Sequence, residues 1–380
     1  MRIAYATTFD ARDIHAWSGT PYHMSSALSA SGISIDYVGN LKRQLPPFFK
    51  VKQTMKKWLC QQRESPRFNV FVAKHYSAEA SQKINELSCD AVLAPLIHPI
   101  AYLDCKAPII LWTDALYAGL LGFYPPFLDH SPSSMKQGNI ITAECLSRCS
   151  LAIFSSEWAA NTAIEIYGAS KDKVKVVPFG ANIDRYPSYS DIQTIIKNRS
   201  QDTIKLLFLA KSWERKGGDI VLAVAKALHE AGHAVELTIV GYHPPGLQPI
   251  PPYIKCLGFV SKHTPEGKLK IQQLLSESHF LFVPSRAEAY GIVFCEANAF
   301  GLPCLSTHVG GISTIIKDHV NGMTFACDAT IESYCNYLVN LMQDKKQYHA
   351  LAQNAYNEFT TRLNWQTATQ QVNEFIKTVI

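Results

Sequence analysis

Short apolar runs separated by longer amphipathic stretches set the rhythm of this chain. RIAYAT (2–7), ISIDYVG (33–39), AVLAPL (91–96), PIILWT (108–113), LAIFSS (151–156) and VKVVPFG (174–180) read as strands. A helix is predicted over 22–31, closed by Gly32, with further helical stretches between several of the strands. Alternation of this kind predicts a parallel sheet covered by helices on both faces. The polar stretch PSYSDIQTIIKNRSQDT (187–203) is expected to be a linker. The pattern then restarts with KLLFLA (205–210), VELTIVG (235–241), IKCLGF (254–259), HFLFVPS (279–285) and LPCLST (302–307). Helical segments fall near 217–231, 266–278 and 292–300, and the tail from 344 to 380 is helical. The chain therefore reads as two doubly wound α/β domains in tandem, 1–186 and 204–361. A ligand is expected in the cleft between them, at the carboxyl ends of the strands.

A length of 380 residues agrees with two domains. With 47% hydrophobic and 18% charged residues, collagen-like, coiled-coil and disordered classes are excluded. A formal charge of +5 is too small and too diffuse to argue for nucleic-acid binding. MRIAYATTFDARD lacks the apolar core and cleavage site of a signal peptide, and no apolar stretch approaches a membrane span. The protein is expected to be cytoplasmic. Ten cysteines contain no CxxC, so buried reduced thiols are expected rather than a zinc site or disulfides.

The most informative segment is PSRAEAYGIVFCEANAFGLP (284–303). An apolar strand leads into a loop bearing Glu288, and Gly291 opens a helix that carries Glu296 and stops at Gly301-Leu302-Pro303. A glycine at a helix start lets a ligand approach bare backbone. The first-turn N–H groups and the positive end of the macrodipole favour an anion there. Glu296 sits where a carboxylate can accept from a ribose diol. In LFLAKSWERKGGDIVLAVAKAL (207–228), Lys211, Arg215 and Lys216 precede Gly217-Gly218 at a second strand-to-helix turn. Such a turn suits a diphosphate, because arginine supplies a planar fork and lysine a point charge. Thr307-His308-Val309-Gly310-Gly311-Ile312 forms a third Gly-rich turn, read either as lining the same site or as a tight turn alone.

Glu288-x7-Glu296 within this segment, followed by GGI, resembles the donor-site signature of retaining glycosyltransferase family 4, on the GT-B fold. WERKGGDIVL resembles that family's diphosphate-binding turn. SSEWAANTAIEIYGASKDKVKVVPFGANID resembles the end of its N-terminal domain. The tail with RLNWQ (362–366) resembles its closing helices, so 362–380 is expected to cross back to the first domain. Residues 1–139 share less, chiefly the first strand, the Gly19 turn and the region of Asp114.

The resemblance implies two Rossmann-like domains facing across a cleft and retaining transfer of a sugar from a nucleotide-diphosphate donor. Carried over by position, Glu296 would bind the donor ribose and Glu288 the hydroxyls of the transferred sugar. Arg215 and Lys216 would neutralise the diphosphate, helped by the backbone of Gly291, Ile292 and Val293. Many members have a Gly-Arg pair after the second domain's first strand. Here that pair is Ala210-Lys211, so Lys211 and Arg215 both stand for the arginine's role. The family's Gly-rich turn after the first strand is here Gly19 alone, within HAWSGTPYH. No DxD occurs, so metal-independent transfer is expected, with no cofactor beyond the nucleotide sugar.

Asp114 follows an apolar strand, where it would orient or deprotonate an acceptor hydroxyl, or else cap a helix. His15, His23 and His98 are further candidates near the cleft, against the commoner role of structural histidines. Residues 41–63 hold seven Lys or Arg and no acid, interleaved with Phe48, Phe49, Val51, Met55, Trp58 and Leu59. The preferred reading is a solvated helix with its apolar side on the core. The rival is a peripheral contact with an anionic membrane. A dinucleotide-dependent dehydrogenase is disfavoured because no GxGxxG follows a predicted strand. A sugar-nucleotide epimerase and a catalytically silent nucleotide-sugar-binding protein stand as alternatives to the transferase.

Overall fold

The structure, a computed structural model, describes residues 1–60, 63–200 and 202–380. Of the basic stretch 41–63, residues 61 and 62 lie outside the described residues, as do the side chains of Lys52, Lys56, Lys57 and Cys60. Two compact units are present: Met1–Asn182 with Trp365–Ile380, and Ile183–Asn364.

The first unit is built on six parallel strands: β1 (Arg2–Ala6), β2 (Ser34–Val38), β3 (Ala91–Ala94), β4 (Ile109–Thr113), β5 (Leu151–Phe154) and β6 (Val174–Val176). Their order is β2-β1-β3-β4-β5-β6, and every neighbouring pair is parallel. β3, β4 and β5 are buried along their whole length, which is why they read as unbroken apolar runs rather than alternating ones. Helices Thr20–Ala30, Val70–Asn85 and Pro132–Arg148 connect them. The last helix, Trp365–Ile376, returns to this unit and packs against Thr20–Ala30 and β5.

The second unit carries β7 (Ile204–Leu209), β8 (Val235–Val240), β9 (Ile254–Gly258), β10 (Phe280–Phe282), β11 (Cys304–Thr307) and β12 (Gly322–Phe325). Their order is β12-β11-β10-β7-β8-β9, again parallel throughout. Read from β9, this is the doubly wound order of dinucleotide-binding folds.

The expected linker 187–203 is instead largely a helix of the second unit, Tyr189–Asn198. Ser188 and Asp191 form a reciprocal capping box at its start. Ile192 and Ile196, four residues apart, are buried. Arg199 at its end is buried too and donates to the carbonyls of Phe300 and Gly301 at 2.9 and 2.7 Å. The segment is polar in composition, but two of its three isoleucines, Ile192 and Ile196, share one buried helical face, and that face is what anchors it.

The helix over 41–63 spans Phe49–Cys60. Its apolar side does not cover the core as expected. Phe49 is buried, but Val51, Met55 and Leu59 are exposed, as are Phe48 and Trp58 at 83% each. Among the described residues no helix is long and apolar enough to cross a membrane. The described cysteines are unbridged, and the closest pair, Cys145 and Cys149, lies 4.0 Å apart at sulfur.

Candidate functional site

The strand order of the second sheet reverses between β7 and β10, so the loops leaving these two strands lie side by side at the carboxyl edge. The first loop is the basic turn 210–217, and the second is 283–291. The backbone N–H of Arg286 donates to the Arg215 carbonyl at 2.7 Å and joins them. The Arg286 guanidinium then grips both oxygens of Asp219, at 2.8 and 2.6 Å, on the first turn of helix Gly218–Glu230.

Glycine is required where the loops meet. Gly217 has φ +70° and caps that helix, and a Cβ on it would run into the Pro284 carbonyl oxygen. Gly291 has φ +96° and caps helix Ile292–Asn298; a Cβ there would press on the Phe294 ring and on Glu288 Cγ. That helix has seven residues, shorter than the expected 292–300, so its macrodipole is modest. Neutralising an anion here falls mainly to side chains.

Glu288 is 7% exposed. Lys216 Nζ donates to its Oε2, and Arg215 Nη1 reaches the same oxygen at 3.3 Å and the Ala287 carbonyl at 2.9 Å. Burial alone would push the Glu288 carboxyl up. The Lys216 ammonium and Arg215 guanidinium outweigh that and hold it below the usual range, so it stays ionised. Burial also depresses the Lys216 ammonium, only partly offset by Glu288. The Gly311 N–H donates to the Glu288 carbonyl at 3.3 Å, which places the Gly310-Gly311 turn beside this loop.

Glu296, 2% exposed, is ion-paired to Lys262 from the segment between β9 and helix Pro265–Glu277. Lys211 stands apart from the Glu288 cluster, with Nζ 5.1 Å above the Phe259 ring. Of the two candidates for the family's arginine role, Arg215 is the one that meets Glu288. Ile292 and Val293 form the first turn after Gly291.

The remaining candidates belong to the first unit. Gly19 (φ +81°) caps helix Thr20–Ala30, following Trp17 and Ser18, which also have positive φ, +46° and +57°. Asn182 Nδ2 bonds the Ser18 carbonyl at 2.9 Å and Thr20 Oγ1 at 3.2 Å, and Trp365 Nε1 donates to Asn182 Oδ1 at 3.0 Å. His15 and His23 flank this turn. Asp114 lies half-buried just past β4, and the short helix after it has Leu116 at its N-cap position.

Lys262, Arg286, Asp219 and Asn182 escaped the sequence reading. Lys262 and Arg286 sit in ordinary polar loops, and only the folded sheet brings them to the acids they pair with.

The family profile described as Glycosyl transferases group 1 matches residues 191–358, nearly all of the second unit. The chain is similar to D-inositol 3-phosphate glycosyltransferase of Xylanimonas cellulosilytica, 28% identical over 198 residues, or 49% of this chain and 48% of that protein. It thus spans about half the length of the curated relatives it matches. Among solved structures, sucrose-phosphate synthase from Thermosynechococcus elongatus superposes with TM-score 0.70 at 14% identity, covering 100% and 98% of the two chains. The Anabaena protein HepE in complex with UDP superposes with TM-score 0.65 at 18% identity, covering 100% of both. These likenesses fix the fold: two Rossmann-like doubly wound units of the GT-B class.

Proposed function

We propose that the chain is a retaining glycosyltransferase that moves a sugar from a nucleotide-diphosphate donor to an acceptor hydroxyl, with the donor bound at the β7–β10 edge of the second unit. The observation that carries this reading is the convergence of Arg215 and Lys216 on a buried, ionised Glu288 at the strand-order reversal. The Glycosyl transferases group 1 match covers the same residues.

As the bond from the sugar's anomeric carbon to phosphate oxygen breaks, negative charge grows on the departing diphosphate and positive charge on the sugar. Arg215 and Lys216, fixed before the reaction begins, are suited to stabilise the first; such preorganised groups are each worth about 2.7–4 kcal/mol in comparable sites. Glu288 accepts from the sugar's hydroxyls, and its negative charge opposes loss of the positive character developing there. Glu296 holds the ribose. The acceptor oxygen attacks the face that the diphosphate leaves, and its proton passes to the departing phosphate oxygen. Without a DxD carboxylate pair, charge neutralisation rests on the cations rather than on a divalent metal.

The basic amphipathic helix Phe49–Cys60 supports a peripheral site of action. Its exposed Val51, Met55, Trp58 and Leu59 would enter the interfacial layer, and the net positive charge of the stretch 41–63 favours an anionic surface.

The test is turnover and hydrolysis of a panel of UDP-, GDP- and ADP-sugars by wild type, Glu288→Ala and Glu296→Ala. UDP-sugars head the panel because HepE was solved with UDP. One donor should be consumed by wild type and spared by both variants. Consumption unchanged in both variants would move the site elsewhere.

A further inference from the structure

The second unit closes on an arginine that no step of the transfer uses. Arg362 is the last residue of helix Lys345–Arg362, and its side chain is 17% exposed. Nη1 donates to the Thr314 carbonyl at 2.6 Å and Nη2 to the Ile315 carbonyl at 2.8 Å. Nε pairs with Glu358 one turn earlier, and Lys317 lies 3.3 Å from the same Glu358 oxygen. The guanidinium thus grips two consecutive carbonyls with its fork while its third nitrogen is held by a carboxylate, an arrangement that no lysine can copy.

Thr314 and Ile315 end the four-residue helix Ile312–Ile315. A helix this short is not stable by itself, and the last carbonyls of any helix lack partners within it. Here the partners come from outside. The Ile315 carbonyl also accepts from Asn321 Nδ2 at 2.9 Å. The same nitrogen donates at 2.6 Å to Asn298 Oδ1, on the helix that carries Glu296. Asn298 and Asn321 are fully buried, as are Ile312 and Ile315.

The other end of this helix is the Gly310-Gly311 turn. Gly311 is its N-cap residue, and the Gly311 N–H is the group that meets the Glu288 carbonyl. At 3.3 Å that bond is long, and Gly310, at φ +54°, adds backbone freedom beside it. A weak bond from a glycine turn keeps its register only when the helix behind the turn is fixed.

We infer that Arg362 is a positioning residue: its fork, held by Glu358, fixes helix Ile312–Ile315 and so keeps the Gly310-Gly311 turn against the Glu288 loop. Its importance for turnover rests on the glycosyl-transfer reading above; the bracing of the turn does not.

Hydrogen exchange of the free full chain, and kinetics with UDP-, GDP- and ADP-glucose, test it on wild type, Arg362→Ala and Arg362→Lys. The amides of Thr314 and Ile316 bond the carbonyls of Gly311 and Ile312. In Arg362→Ala they should exchange roughly tenfold faster, while those of β12 keep their protection. Turnover of the donor that wild type consumes should fall about tenfold or more, because a small misplacement at a reacting centre is costly. Calorimetry with the matching nucleoside diphosphate should find wild-type stoichiometry and nearly wild-type affinity; a general loss of fold would remove binding sites and turnover together. Arg362→Lys keeps the charge but loses the fork, so it should lie between the two. Unchanged exchange at 314 and 316, wild-type turnover in Arg362→Ala, full wild-type behaviour of Arg362→Lys, or diphosphate sites lost in step with turnover overturns the inference. If exchange quickens as expected while wild type consumes no donor and binds no nucleoside diphosphate, the brace stands and the glycosyl-transfer reading falls.

Discussion

Replacing Glu288 by Gln keeps its shape and removes its charge. Two cations would then face each other across a nearly dry loop, with side chains exposed by only 11% (Lys216) and 19% (Arg215). For the Arg215 contact at 3.3 Å, Coulomb's law with an effective dielectric of 20 gives about 5 kcal/mol. Mutational experience with broken buried pairs gives about 3–5 kcal/mol. The Gln oxygen still accepts one hydrogen bond, which returns about 1 kcal/mol. Lys216 can also shed its proton more easily than an exposed lysine, because burial has lowered its pKa. The expected loss is therefore about 2–4 kcal/mol, confined to the second unit. Trp213 is the one tryptophan between 183 and 364 and sits in the basic turn, so urea unfolding followed by its fluorescence reports on that unit. With a slope near 3 kcal/mol per molar urea, the midpoint should fall by roughly 1 M. The pH dependence carries a sign. Glu288 has a depressed pKa in the fold, so its stabilisation is complete above the ordinary glutamate range and is lost as pH falls through the folded value. Wild type should weaken on acidification more steeply than Glu288→Gln. A nucleoside diphosphate should restore part of the variant's stability, because its phosphates replace the missing negative charge; at 100 times Kd the gain is about 2.7 kcal/mol. A midpoint within 0.2 M of wild type, with parallel pH profiles, would refute the claim that this carboxylate compensates the two cations.

Two further outcomes follow from the first unit. Wild-type protein should co-sediment with vesicles rich in phosphatidylserine and be released by salt, and a Met55→Glu, Trp58→Glu pair should abolish sedimentation without altering unfolding; retention of the double variant would remove the membrane reading. Asn182→Ala deletes the bonds to Ser18, Thr20 and Trp365, each worth about 1 kcal/mol, around a turn whose left-handed Trp17 and Ser18 cost about 1–3 kcal/mol apiece. Amide exchange at residues 17–20 should accelerate at least tenfold, and unchanged protection would show that the turn holds itself.

What could be read from the sequence follows the range of the forces involved. Runs such as IILWT and AVLA are buried on both faces, so each residue carries its own signal and the strands were legible. β12, only GMTF, owes its place to pairing with β11 and was not legible. The Glu288–Glu296 segment stood out because its glycines, acids and strand are contiguous. The partners that set the electrostatics there arrive from 34 to 73 residues away, and nothing local to Lys262 or Arg215 announces the acid it meets. The helix Phe49–Cys60 misled for a related reason: its apolar stripe has the right spacing for a core face, and only tertiary packing reveals that Phe49 is buried while Val51, Met55 and Leu59 are left exposed.

The final helix imposes an order on biogenesis. Trp365 stacks on Phe179 and edges against Trp112, completing an aromatic nest that belongs wholly to the first unit. Between Asn182 and that tryptophan lies the entire second unit, a contiguous insert. At ribosomal speeds of about 5–20 residues per second, the first sheet waits roughly 10–40 s after its last strand is made before its closing piece emerges. During that interval Phe179 and Trp112 lack their lid, and the nascent amino-terminal half is the species most in need of a chaperone, whereas the inserted half can finish folding from its own residues alone.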